Sequence, residues 1–136
     1  MRKYGSDIMH NFPLFMSIAA GGGLGAVLRY SAGLLFVKHV SLDFPLTTVL
    51  VNCVGSFFMG LIVIVLMNKA PANLLLHSFL TVGVLGGFTT FSTFSLDVVS
   101  LIERGAIAPA GIYVLLSVLL SVGALFLGFV VGRELI

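Results

Sequence analysis

Residues 44–68, FPLTTVLVNCVGSFFMGLIVIVLMN, run for 25 residues without a formal charge. An α-helix rises about 1.5 Å per residue, so about 20 such residues cross the hydrocarbon core of a bilayer. Three more uncharged runs lie outward from this one, between Asp7 and Arg29, Lys69 and Asp97, and Arg104 and Arg133. In chain order the four runs hold 21, 25, 27 and 28 residues. The whole chain has 136 residues, 59% hydrophobic and only 9% charged, with a mean hydropathy of +1.19. A soluble domain carries about 25% charged residues. The pattern predicts an all-α membrane protein, a single four-helix transmembrane domain over 1–136.

The spans are expected at about 13–38, 45–68, 72–104 and 108–133. Pro13 and Pro45 suit helix starts, with a turn from Ser41 to Pro45. The connections are short, so successive helices should run antiparallel. Arg2 and Lys3 ahead of an apolar run resemble a signal peptide. The run continues to Arg29 without a clear small-x-small cleavage site, so cleavage is not expected. Positive charge gives only a weak orientation. Arg2, Lys3, Lys69 and Arg133 lie on one side, against Lys38 and Arg104 on the other, joined by Arg29 if it snorkels. Such a chain can insert both ways round, which allows an upside-down pair.

Polar residues are costly within spans, so they carry the functional reading. Gly21, Gly25, Arg29 and Gly33 recur every four residues along the first helix. The glycines suit close helix packing. The guanidinium of Arg29 keeps its charge and needs water, a carboxylate or carbonyls, so it either snorkels or attracts anions. Thr48, Asn52, Ser56 and Gly60 form a stripe on the second helix, where Asn52 can join helices or serve a polar track. Tyr113, Ser117 and Ser121 share a face of the fourth, open to packing or to a matching track.

The third span is the least ordinary. Its centre reads Gly86-Gly87-Phe88-Thr89-Thr90-Phe91-Ser92-Thr93-Phe94-Ser95. Adjacent glycines and a run of hydroxyls are poor helix sequence. A break is expected near 86–91, at mid-membrane, with carbonyls and amides free for partners. Irregular backbone at that depth survives only inside protein or beside a cavity. Phe91 and Phe94, three apart, share a face of any resumed helix. Packing is their ordinary role, but ring edges are positive and can line an anion path.

Other chemistry is not expected. A net charge of +2 with no basic tract gives no reason to expect nucleic acid as a partner. Cys53 is the single cysteine and reads as a buried thiol. His10, His39 and His77 are far apart and read as surface or interfacial. Asp97 and Glu103 make no obvious acid–base pair, so no enzyme is expected.

Three segments carry a family resemblance: Gly22-Gly23-Leu24-Gly25-Ala26-Val27-Leu28-Arg29-Tyr30, Thr48-Val49-Leu50-Val51-Asn52-Cys53-Val54-Gly55, and the stretch from Gly86 to Ser95. Together they resemble the Fluc/CrcB family of fluoride channels. The resemblance implies a passive, fluoride-selective channel that exports fluoride from the bacterial cytoplasm and confers fluoride resistance. It implies a multi-pass protein of the plasma (inner) membrane, working as an antiparallel dual-topology homodimer. Two fluoride pores and a central structural sodium ion are implied with it. Asn52 would be the pore amide, Phe91 and Phe94 the pore rings, and Thr93 and Ser95 nearby hydroxyls. Tyr113, Ser117 and Ser121 would continue the track, with Arg29 in the vestibule. The backbone carbonyls of Gly86 and Thr89 would hold sodium, two from each subunit. Thr47 and Asp97 depart from the family pattern, which commonly has glycine and glutamate there. One alternative is a small dual-topology proton-coupled exporter, which calls for a carboxylate in the first span. Another is a non-transporting assembly subunit, which leaves Asn52 and the hydroxyl-rich break unexplained.

Overall fold

The computed structural model describes residues 2–37 and 44–136, with side chains described for 11–35 and 44–136. Among these, the elements in order are α1 (Arg2–Val37), α2 (Leu46–Lys69), α3 (Leu74–His77), a π-helical stretch (Ser78–Leu85), α4 (Gly86–Phe88), α5 (Phe91–Glu103) and α6 (Ile107–Glu134). Among the described residues, four segments are long and apolar enough to cross a membrane: Asn11–Leu35, Leu46–Lys69, Leu74–Glu103 and Ile107–Glu134. The protein is a multi-pass, all-helical membrane protein, with no strand among the described residues.

Helix boundaries depart from expectation where local chemistry outweighs proline. Pro13 lies inside α1 and does not open it. Proline withholds one N–H and crowds the carbonyl four residues back, yet apolar spans tolerate it where the freed group is satisfied again. The predicted end at Lys38 and the turn over residues 41–43 lie outside the described residues, as do His39 and the side chain of His10. The third span opens at Leu74 rather than just past Pro71, because Asn73 caps it: its Oδ1 accepts from Leu76 N–H at 3.0 Å. That span then winds as a π-helix over Ser78–Leu85. The glycines at 86 and 87 remain helical, and the interruption falls on Thr89 (φ −74°, ψ 158°) and Thr90 (φ −151°, ψ 117°). Gly105 ends α5 with φ +76°. This left-handed residue lets Ala106 N–H reach back to the Leu101 carbonyl at 2.9 Å.

The helices form two close pairs. In one, α2 packs along α6; in the other, α1 packs along the π stretch and α4. Glycine makes both approaches possible. A Cβ on Gly60 would meet the Leu125 carbonyl, and one on Gly128 the Phe57 carbonyl. A Cβ on Gly25 would meet the Val84 carbonyl, and one on Gly87 would lie 2.5 Å from the Gly22 carbonyl. Backbones this close gain dispersion contacts without side-chain entropy, the usual glue where lipid removes the hydrophobic incentive. Gly33, on the same stripe as Gly21 and Gly25, faces open space. Leu101 of α5 joins Val49 of α2 and Ala110 and Tyr113 of α6 in a small core.

Candidate functional site

The interruption at Thr89 and Thr90 is held by side chains in place of helical bonds. Asn52, on the neighbouring α2, pairs with Thr90 in both directions. Its Oδ1 accepts from Thr90 N–H at 2.8 Å, and its Nδ2 donates to the Thr90 carbonyl at 3.1 Å. A primary amide presents a donor and an acceptor side by side, matching the backbone edge of an extended residue. Asn52 is thus partly spent on the protein, with one N–H of its NH2 left for another partner. Thr90 also caps α5. Its Oγ1 accepts from Thr93 N–H at 3.1 Å and donates to Thr93 Oγ1 at 3.0 Å, with Ser92 Oγ 3.2 Å away. Threonine is a favoured N-cap because its oxygen satisfies a donor of the first helical turn.

Beside the interruption lies a groove of about 400 Å³. Its polar lining is Asn52, Ser56, Thr89, Thr90, Ser117 and Ser121, and its aromatic lining is Phe91 and Phe94. None of its lining residues carries a formal charge. Ser117 is buried at 6% exposure, and its Oγ has no hydrogen-bond partner among the described residues. An unmet buried hydroxyl costs on the order of 1–3 kcal/mol, so it favours any ligand that satisfies it. The Phe91 and Phe94 rings stand 5.4 Å apart, and Phe91 is 79% exposed on the single chain. Cys53 is half-buried, its Sγ 3.8 Å from Ser121 Oγ.

A second cavity, of about 420 Å³, is lined by Ala26, Arg29, Tyr30, Gly33, Thr47, Thr48, Val51, Thr90 and Thr93. Thr90 is the wall shared by both cavities. Arg29 is half-buried here, and no ion pair forms to it among the described residues. Nearby, Asp97 Oδ2 accepts from Thr48 Oγ1 at 2.7 Å and from the Tyr113 hydroxyl at 2.9 Å. This cluster ties α5 to α2 and α6. Tyr113 is fully buried, with Phe94 and Phe44 rings at 5.4 and 5.7 Å.

The residues singled out from sequence therefore divide. Asn52, Phe91, Phe94, Ser117 and Ser121 come together on the groove. Thr93 lines the Arg29 cavity instead. Ser95 donates to the Phe91 carbonyl of its own helix at 2.9 Å. Tyr113 leaves the line of Ser117 and Ser121 to meet Asp97, because each four-residue step turns a helix face by roughly 40°. His77, expected at a surface or interface, is half-buried with its Nε2 enclosed and unpartnered among the described residues. Thr90 and Asp97 were missed as organising residues. The N-cap spacing of Thr90 to Thr93 was a readable signal for the first. For Asp97, a carboxylate within one helical turn of Phe94 was the available hint.

The family model described as CrcB-like protein, Camphor Resistance (CrcB), matches residues 16–129. A fluoride-specific ion channel FluC of Rhodospirillum centenum is 50% identical over 123 residues, covering 88% of this chain and 95% of the relative. The protein of the same name from Agrobacterium fabrum is 46% identical over 118 residues, covering 87% and 94%. That from Hyphomonas neptunium is 46% identical over 122 residues, covering 89% and 96%. The chain belongs to the CrcB-like protein family.

Proposed function

We propose that this protein is a passive fluoride-selective channel that lets fluoride leave the cytoplasm. The observation that carries the reading is the uncharged groove beside the interrupted helix, lined by neutral polar side chains and the rings of Phe91 and Phe94, with the unpartnered hydroxyl of Ser117 enclosed in its wall. Fluoride is small and strongly hydrated, so several donors must replace its water together. Neutral donors do this without the fixed cation that would trap the ion, and conduction requires release as well as entry. Asn52, Ser117 and Ser121 supply donors; Phe91 and Phe94 offer positive edges. Arg29 raises anion concentration in the cavity on the other side of Thr90, and Thr93 lines that approach. Tyr113 and Ser95 act one step removed, through Asp97 and the α5 backbone. The names of the relatives, fluoride-specific ion channels, agree with this reading.

The working unit in this proposal is an antiparallel homodimer of dual topology, with two pores and the interruption at mid-membrane. Support comes from surfaces one chain leaves uncovered: Phe91 and Gly86 are exposed beside the interruption. A structural sodium ion fits the donors present. Thr90 N–H and Thr93 N–H, which a continuous helix would give to Gly86 and Thr89, are bonded elsewhere. The two freed carbonyls are hard oxygen donors suited to a hard cation, and a second copy would add two more. Bound there, sodium would supply fixed positive charge that holds the carbonyls and the two copies together.

Fluoride is the base of a weak acid, so HF entering from acidic surroundings leaves fluoride in the cytoplasm. An inside-negative potential drives the anion out, by roughly 2.3 kcal/mol per charge at 100 mV. A proton-coupled exporter would need a carboxylate within the first span, and the run between Asp7 and Arg29 has none. The test is expression in a bacterium stripped of its own fluoride export. Cells carrying the protein should grow in fluoride and hold less of it than controls. Equal fluoride content in both would reject the proposal.

A further inference from the structure

The two carbonyls suited to sodium are freed by two specific side chains. In a continuous α-helix each carbonyl accepts from the N–H four residues on. The partner of Gly86 would be Thr90 N–H, which instead donates to Asn52 Oδ1 at 2.8 Å. The partner of Thr89 would be Thr93 N–H, which instead donates to Thr90 Oγ1 at 3.1 Å. The diversion is local, because Thr89 N–H still reaches the Leu85 carbonyl at 3.0 Å. Both acceptors are secured. Asn52 is held from its other end by its 3.1 Å bond to the Thr90 carbonyl, and Thr90 is 8% exposed.

We infer that Asn52 and Thr90 are positioning residues for the cation site, their side-chain oxygens keeping the Gly86 and Thr89 carbonyls out of the helix. The inference rests on the sodium reading given above and deepens it. Asn52 then serves both ions: its amide oxygen keeps the Gly86 carbonyl out of the helix, while its second N–H is left for the groove that Asn52 lines. Losing the anion-side amide should therefore weaken cation binding. Thr90 does the same work at the second carbonyl through its hydroxyl alone. Without that hydroxyl, Thr93 N–H is free to return to the Thr89 carbonyl, extending α5 backwards and withdrawing a donor from the cation.

The experiment is a sodium titration of the purified protein in an N-methylglucamine background, read as thermal denaturation and in parallel as fluoride flux. Wild type should be stabilised by sodium. Thr90→Val should need about tenfold more sodium for the same stabilisation, the equivalent of one lost hydrogen bond. Thr90→Ser keeps the oxygen and should stay within about threefold of wild type, since a merely steric role would not be rescued by the smaller hydroxyl residue. If Thr90→Val does not fold, Asn52→Ala carries the same titration with the same expected shift. A sodium-stabilised wild type with Thr90→Val or Asn52→Ala titrating at the wild-type concentration would overturn the inference alone. A wild type indifferent to sodium would overturn the sodium reading beneath it.

Discussion

Replacing Tyr113 by phenylalanine removes one hydroxyl from the interior and leaves the ring. The ring contacts with Phe44 and Phe94 survive, so the change isolates the 2.9 Å bond to Asp97 Oδ2. A hydrogen bond to a carboxylate contributes about 1.5–3 kcal/mol. The carboxylate keeps its 2.7 Å bond from Thr48 and so is not stranded, which sets the expected loss at about 2 kcal/mol. At roughly 2–4 °C per kcal/mol, the denaturation midpoint should fall by roughly 4–8 °C. Thr48→Val should cost a similar amount. Because both hydroxyls meet the same oxygen, the double variant should depart from additivity by at least about 0.5 kcal/mol. The assay is thermal unfolding of detergent-purified protein, followed by loss of the monodisperse species. Singles within about 0.5 kcal/mol of wild type, the range of an uninvolved surface change, would refute the reasoning.

Other perturbations probe the groove and the helix crossing. Phe91→Ile and Phe94→Ile replace ring edges with aliphatic surface on the groove and should lower fluoride flux, with the protein still folded; undiminished flux in both would remove the ring-edge contribution. Gly128→Val places side-chain carbon against the Phe57 carbonyl and within 2.9 Å of Leu61 N. Forcing α2 from α6 should cost about 1–3 kcal/mol, whereas Gly123→Val, where a Cβ meets open space, should leave the midpoint unchanged. Equal midpoints for the two valine variants would contradict the close crossing.

Much of this was legible because charge and glycine report on physics the chain cannot evade. The uncharged runs set the four spans, since a stray charge in hydrocarbon is expensive. The Gly-Gly and hydroxyl run marked where the third span fails as a helix, though the glycines themselves stayed helical. What stayed hidden depends on neighbours. Asn52 could be seen as polar and central, but its grip on Thr90 depends on where α2 lies against the interruption. Tyr113 looked continuous with Ser117 because spacing alone does not show which residue meets Asp97. The π winding of Ser78–Leu85 has no compositional mark in this sequence; it coincides with the close approach of Gly83 to the Gly21 backbone.

The central claim is passive, selective fluoride conduction, and ion efflux from proteoliposomes tests it most directly. Vesicles loaded with both fluoride and chloride salts are diluted into an ion-free medium, and potassium permeability is opened with valinomycin to remove the charge imbalance. Electrodes then follow each anion. The account predicts rapid fluoride release that needs no proton gradient, while chloride stays inside until detergent is added. Retention of both anions, or their release at equal rates, would contradict it.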